Sequence, residues 1–98
     1  MPAAHRYTDF GTGHACWPMR PNVQGSGNVF VNTLGWHRQN DAWPIHVCVI
    51  WPHPAHASNM KAGSKSVYVN NLEAARVGDP VVCGSNAATG SGNVFAGN

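Results

Sequence analysis

Charged residues and long aliphatic side chains are scarce in this chain of 98 residues. Only 10% of its residues are Asp, Glu, Lys or Arg, and it contains two Leu and two Ile. A chain of this size with so few core-forming residues needs an additional tie, which is a disulfide, a metal ion or a partner. The sequence also lacks any run of Lys and Arg, so it gives no support to nucleic-acid binding.

Long apolar segments are absent too. No stretch approaches the roughly 20 apolar residues of a transmembrane helix, and residues 1–6 lack the apolar region of a signal peptide. We therefore expect a protein that is made in the cytoplasm and reaches other places only as part of an assembly. We expect one domain over residues 1–98, without a fused toxin.

Cysteine and histidine are the residue types that suggest a tie. The chain has three cysteines (Cys16, Cys48 and Cys83) and six histidines. An odd number of cysteines in so short a chain is a poor disulfide framework, whereas Cys and His together are the ligands of structural zinc sites. The combination favours a metal site, with one disulfide pair left open as the alternative.

One segment of eight residues occurs three times, at 25–32, 63–70 and 90–97. Each copy begins with Gly-Ser and continues as Val-aromatic-Val or Val-aromatic-Ala. This alternation predicts a short strand with Val29 and Val31 on one face and Phe30 on the other. We call these three segments the octets. Glycine and proline, with 11 and 7 copies, further favour turns and short strands over helices.

A second repeated element, Arg-x-x-Asp, occurs at residues 6–9, 38–41 and 76–79. Nine residues lead from Asn32 to Asp41 and nine from Asn70 to Asp79, whereas the distance from each Asp to the next octet is 16, 22 or 11 residues. Constant strands with variable loops predict an all-β domain of three units around a pseudo-three-fold axis, with the loops at one end. Such a chain is suited to sit on a genuine trimer.

Residues that could bind a metal follow each Asp of the repeated element. His14 lies five residues after Asp9, His46 lies five after Asp41, and Cys83 lies four after Asp79. Related by a three-fold axis, these side chains would converge, and a structural zinc takes four ligands. The long middle loop can supply the fourth from His53 or His56. We favour His56 because prolines on both sides of His53 restrict it.

We expect this site to be structural rather than catalytic. A catalytic zinc keeps an open position beside a carboxylate base, and the one glutamate, Glu73, lies in a connector expected on the opposite side from the ligand loops. Motifs of hydrolases, P-loop proteins and dinucleotide-binding enzymes are missing. A small zinc-dependent hydrolase is the alternative from another class. A zinc-ribbon module would need paired Cys-x-x-Cys knuckles, which the sequence lacks.

The segment Glu73-Ala-Ala-Arg76, followed by Val-Gly-Asp-Pro and Cys83, resembles the Pro-Ala-Ala-Arg signature of the PAAR-repeat family. Glu73 stands where the namesake proline would be, and Tyr7-Thr8 and Gln39-Asn40 replace Val-Gly in the first two units. The resemblance implies a small cone whose base binds the blunt end of a trimeric β-helical spike, with a metal near the apex. It carries the ligand roles onto His14, His46, His56 and Cys83, with zinc favoured over iron.

The resemblance also implies a mechanical function. Such proteins cap and sharpen the membrane-piercing spikes of contractile injection machines, one tip chain per spike trimer, and contact the target outer membrane transiently. We expect a phage tail, and therefore a virion location, with a stand-alone type VI secretion tip as the alternative. The partner would be a VgrG-like protein or a phage central spike.

Overall fold

The computed structural model describes residues 1–13, 19–46 and 56–97, and for His46 and His56 it describes the backbone. All regular secondary structure in these residues is β, which confirms the predicted fold class. The strands pair as four antiparallel hairpins: β1 (Phe10–Gly11) with β2 (Arg20–Pro21), β3 (Phe30–Val31) with β4 (Leu34–Gly35), β5 (Ala42–His46) with β6 (His56–Asn59), and β7 (Tyr68–Val69) with β8 (Leu72–Glu73). These ranges contain no helix able to cross a membrane.

The octets form the strands that the alternation predicts. Val31 and Val69 are 3% exposed, whereas Phe30 and Tyr68 are 58% and 55% exposed. A buried serine is the second residue of each octet and holds its turn, because its hydroxyl accepts the backbone N–H groups two and three residues later. Ser64 accepts them at 3.2 and 3.0 Å, and the same two bonds recur in the other octets at Ser26 and Ser91.

The two ends of the chain complete the third unit. In the first two octets the aromatic residue lies opposite Gly35 or Glu73 of the following strand. In the third octet, Phe95 instead lies opposite Ala3 in an antiparallel bridge, and the N–H of Ala96 donates to the carbonyl of Pro2 at 3.1 Å. The N-terminal residues therefore act as the second strand of the third hairpin.

A closed ring of backbone hydrogen bonds defines the axis that relates the three units. The N–H of His5 donates to the carbonyl of Ala75 at 3.0 Å, Ala75 donates to His37 at 2.9 Å, and His37 donates to His5 at 3.1 Å. Each residue immediately precedes the arginine of one Arg-x-x-Asp element. The ring confirms that three equivalent segments surround one pseudo-three-fold axis.

The core lies on this axis and is built around histidine and tryptophan. The rings of His5, His37 and Trp43 are 5.2 to 5.4 Å apart, centroid to centroid, and both histidines are fully buried. The third equivalent position is the small Ala75, which packs with Trp43 in the core cluster. Both histidines are hydrogen-bonded, and they form the centre of the core.

Each Arg-x-x-Asp element is a clamp that holds a tight turn. Asp79 accepts hydrogen bonds from the backbone N–H, Nε and Nη2 of Arg76, at 2.9, 3.0 and 2.9 Å, and the same three bonds form in the other two elements. The residue before each Asp has a positive φ, 76° at Thr8, 74° at Asn40 and 95° at Gly78. The turn therefore survives where Thr or Asn replaces glycine.

The hydrogen bonds of the first clamp favour the ionised form of Asp9. Burial opposes ionisation of the Asp9 carboxyl, but the hydrogen bonds from Arg6 outweigh it, so the pKa of Asp9 is lowered from its ordinary value. The hydrogen bond to Asp79 likewise raises the pKa of Arg76. Each arginine also reaches the octet that follows it in the sequence; Arg38 Nη1, for example, donates to Asn70 Oδ1 at 2.9 Å. The clamps thus tie each tight turn to the octet of its own unit.

Candidate metal centre and base surface

The stems of the three loops are joined by a second ring of backbone hydrogen bonds. The N–H groups at three equivalent positions donate to carbonyls of the next unit, from Val23 to Ala42 at 3.2 Å, from Lys61 to Pro80 at 2.9 Å and from Ala88 to Phe10 at 2.8 Å. Because each acceptor directly follows an Asp of a clamp, the three loops leave the ring at the same end of the molecule. We call this end the apex.

The longest loop begins as the hairpin β5–β6. Its register pairs Ala42 with Asn59 and Trp43 with Ser58, and after an irregularity it places the Cα of His46 opposite that of His56. Two of the residues that the sequence predicts as ligands thus occupy one cross-strand position, where the hairpin meets the apical part of the loop.

The third loop is a tight turn that brings Cys83 against this hairpin. The N–H of Val81 donates to Ser85 at 2.8 Å, and the N–H of Gly84 donates to Val81 at 2.9 Å. The backbone N–H of Cys83 donates to Ser58 Oγ at 2.9 Å, and its Sγ lies 3.6 Å from Ser85 Oγ. Cys83 also packs against the core cluster. Because of the bond to Ser58, the backbone of Cys83 lies beside β6, which begins at His56.

The predicted ligand set is only partly within the described residues. His14, Cys16, Cys48 and His53 lie outside them, and for His46 and His56 the backbone alone is described. No cluster of three His, Cys, Asp or Glu side chains able to hold a metal occurs among the described side chains, of which Cys83 is the one predicted ligand. The ligand set therefore stays a prediction, which the placement of His46, His56 and Cys83 suits.

At the opposite end, the three octets present a surface that we call the base. Phe30, Tyr68 and Phe95 occupy the same position in each unit, and they are 58%, 55% and 49% exposed. Asn side chains link the units beneath them; Asn32 Nδ2, for example, donates to Asn93 Oδ1 at 2.8 Å. The alternation within the octets predicted the aromatic residue on the face opposite the valines, and in the structure that face is the exposed one.

Glu73 belongs to the base hairpin β7–β8 rather than to the apex. Its carboxylate accepts the N–H of Gly63 at 2.9 Å and lies 3.3 Å from Lys65 Nζ. These contacts, with the Gly63 bond foremost, lower the pKa of Glu73. The Glu73 carboxylate therefore lies on the base surface and is not placed to accept a proton in a reaction at the apical loops. Its position in the sequence predicted this separation.

Residues 12–89 match the PAAR motif family. This chain belongs to the PAAR motif family. PAAR proteins form spike tips of contractile injection systems, type VI secretion included, and the PAAR domain itself is a structural domain. Membership therefore confirms the resemblance that the repeats indicated.

Two relatives of this PAAR chain come from Pseudomonas aeruginosa. They are the NAD(P)(+) glycohydrolase toxin Tse6 of strain PAO1 and the (p)ppApp synthetase toxin Tas1 of strain UCBPP-PA14. Each is 35% identical over 82 residues, which cover 76% of this chain and 18% of the relative. The chain spans about a fifth of the length of these relatives. The activities in their names are therefore stated of those proteins and not of this chain.

Proposed function

We propose that this PAAR chain is a structural tip that caps the end of one trimeric β-helical spike, with one tip chain per spike trimer. The observation that carries this proposal is the closed ring of His5, Ala75 and His37, which gives one chain an approximate three-fold axis. A surface with this symmetry presents similar contacts to each subunit of a true trimer.

The base has the chemistry of a docking surface. Its three equivalent aromatic side chains are about half exposed, and aromatic residues are enriched at the energetically important centres of protein interfaces. The strands that carry Phe30 and Tyr68, β3 and β7, are two residues long. A spike trimer on the base would cover their edges, which are otherwise open to unwanted pairing.

We further propose that a zinc ion ties the apical loops, held by His14, His46, His56 and Cys83. Bound zinc supplies a tetrahedral cross-link, which replaces a hydrophobic core where the molecule is too narrow to contain one. The cross-strand position of His56 opposite His46 supports His56 over His53. Iron, with the same ligands, is the less favoured metal because the role needs no redox chemistry.

The capping function is common to several kinds of contractile injection machine. The relatives named as toxins support a secretion setting, with a VgrG-like spike as the partner, whereas the phage tail, the virion location and transient contact with the target outer membrane stay predictions. We propose that residues 1–98 form a single PAAR domain without enzymatic activity of their own.

Substitutions in the base test the capping function. Phe30→Asp, Tyr68→Asp and Phe95→Asp each place a charge on an exposed base position, and Val82→Asp does so on an exposed apical position. Binding to the full-length spike trimer from the same source is measured by isothermal titration. We expect the base variants to bind at least roughly tenfold more weakly and Val82→Asp to bind within about twofold of the unchanged chain. Equal weakening at base and apex would contradict the proposal.

A further inference from the structure

A groove of about 510 Å³ runs from the base up one flank of the molecule, beside the hairpin β3–β4. None of the side chains that line it carries a charge. Its apolar walls come from Tyr7, Val23, Phe30 and Leu34. Three of them, Tyr7, Val23 and Phe30, are 42%, 50% and 58% exposed. Contiguous exposed apolar side chains of this kind mark interaction sites.

The pseudo-three-fold axis allows this flank to be compared with the other two. The N–H of Tyr7 donates to Gly35 at 2.7 Å, and the equivalent bonds start from Gln39 and Val77, each at 2.8 Å. These three residues therefore occupy the same position in their units. The first flank presents an exposed aromatic ring there, the second an amide, and the third a half-buried valine.

The second groove position shows the same difference. Val23, Lys61 and Ala88 are equivalent, since each donates its N–H to the residue after the Asp of a clamp. Val23 and Lys61 are exposed and Ala88 is half-buried. The second flank also carries the Lys65–Glu73 ion pair. Large exposed apolar side chains thus occur at both positions on the first flank and at neither position on the others.

We propose that this groove receives an apolar segment of one of the three spike chains, which extends past the base along the flank. The inference rests on the proposed capping function and adds to it. The spike is the occupant because the groove is continuous with the base: Phe30 belongs to both surfaces. Since three identical spike chains meet three different flanks, one chain makes the deep contact and the spike subunits become inequivalent.

The decisive comparison is between Val23→Asp and Ala88→Asp, which introduce the same charge at equivalent positions. Binding to the full-length spike trimer is measured by isothermal titration, and thermal unfolding shows that both variants fold. We expect Val23→Asp to weaken binding roughly tenfold or more, because an apolar spike segment that covers the groove would remove the carboxylate from water, and Ala88→Asp to change it less than about twofold. Equal effects would overturn the groove assignment.

The failure of this inference differs from the failure of the capping function. If the base variants abolish binding and Val23→Asp does not affect it, the groove is wrong and the cap stands. If the unchanged chain does not bind the spike, both are wrong. A dimer of the tip chain alone that Val23→Asp dissociates in analytical ultracentrifugation would identify a second copy, not the spike, as the occupant.

A photo-crosslinking amino acid at position 23 tests the asymmetry directly. We expect irradiation of the complex to join the tip to one spike chain in high yield, and the same amino acid at position 88 to give at least roughly tenfold less product. Similar yields from both positions would show that the three flanks contact the spike alike, which would overturn the proposal.

Discussion

The backbone N–H of Cys83 donates a hydrogen bond of 2.9 Å to the hydroxyl of Ser58. Ser58 is the third residue of β6, two positions after His56. The bond therefore holds the Cys83 loop against the strand that begins at His56. The bond couples the shortest loop to the longest at the place where the proposed metal centre lies.

The metal centre predicts large and selective effects of ligand substitution. Gently purified protein should contain about one metal ion per chain by elemental analysis. Cys83→Ser and His46→Asn should each lose the metal and lower the thermal midpoint by roughly 10 °C or more, because a structural zinc contributes binding energy directly to folding.

Neighbouring exposed residues provide matched controls for these variants. Val82→Ser and Ile45→Asn introduce the same side chains one position away, at residues that are 64% and 59% exposed. Both should retain the metal and the thermal midpoint. A protein that contains no metal after gentle purification, or ligand variants that behave like these controls, would refute the site.

The Arg76–Asp79 clamp predicts a second stability difference. Arg76→Ala leaves the carboxylate of Asp79, whose residue is 9% exposed, without the two hydrogen bonds from the guanidinium Nε and Nη2. We expect a loss on the order of 3 kcal/mol in the free energy of unfolding, measured by urea titration. Arg76→Lys should restore little of it, because an ammonium cannot form the paired contact. Lys65→Ala, in the exposed pair with Glu73, should change nothing measurable; an equal loss there would contradict this account.

Acid should destabilise the fold through the axial histidines. Burial lowers the pKa of both His5 and His37, that of His37 to about 4, from an ordinary value of 6.5. His37 Nδ1 meets the carbonyl of Gln24 at 2.7 Å, and its Nε2 is buried with no hydrogen-bond partner among the described residues. The unfolded chain therefore takes up protons more readily than the folded one.

The free energy of unfolding should accordingly be highest above pH 6.5 and fall as the pH decreases towards 4, with His37 contributing on the order of 3 kcal/mol. The measurement is urea unfolding at several pH values in this window. Protonation of metal ligands acts in the same range, so His37→Asn is the comparison: its amide can still donate to Gln24, and its pH dependence should be shallower. Parallel profiles for the two proteins would contradict the assignment.

The first and third residues of the third octet, Gly90 and Gly92, should differ sharply in how well they tolerate an added methyl group. A methyl group at Gly90 would lie 2.5 Å from the carbonyl oxygen of Ala4 and 2.8 Å from Val77 Cγ2, whereas one at Gly92 meets nothing within 4 Å. Gly90→Ala should lower the free energy of unfolding by about 2 kcal/mol, and Gly92→Ala should leave it unchanged or slightly higher. Equal thermal midpoints for the two variants would be inconsistent with this close approach.

The repeats allowed the all-β class and the three-fold arrangement to be predicted, because alternation within an octet is a local property. The pairing of Ala3 with Phe95 could not be found in this way, since it joins opposite ends of the chain and Pro2-Ala3-Ala4 shows no alternation. This pairing gives the third octet a partner from the other end of the chain.

The buried histidines were missed for a different reason. Residue type alone places histidine at the surface or in a hydrogen bond, and His5 and His37 do make hydrogen bonds. Their identical register, one residue before Arg6 and Arg38, was a signal that both occupy the same place near the axis. The third copy has alanine at that position, because the indole of Trp43 occupies the core beside Ala75, and no local pattern shows such compensation.

Native mass spectrometry of the tip mixed with its spike trimer tests the central claim most directly. The account predicts a complex of three spike chains with one tip chain, whose mass includes one metal ion. Three tip chains per trimer, or no complex under conditions where both proteins are folded, would contradict it.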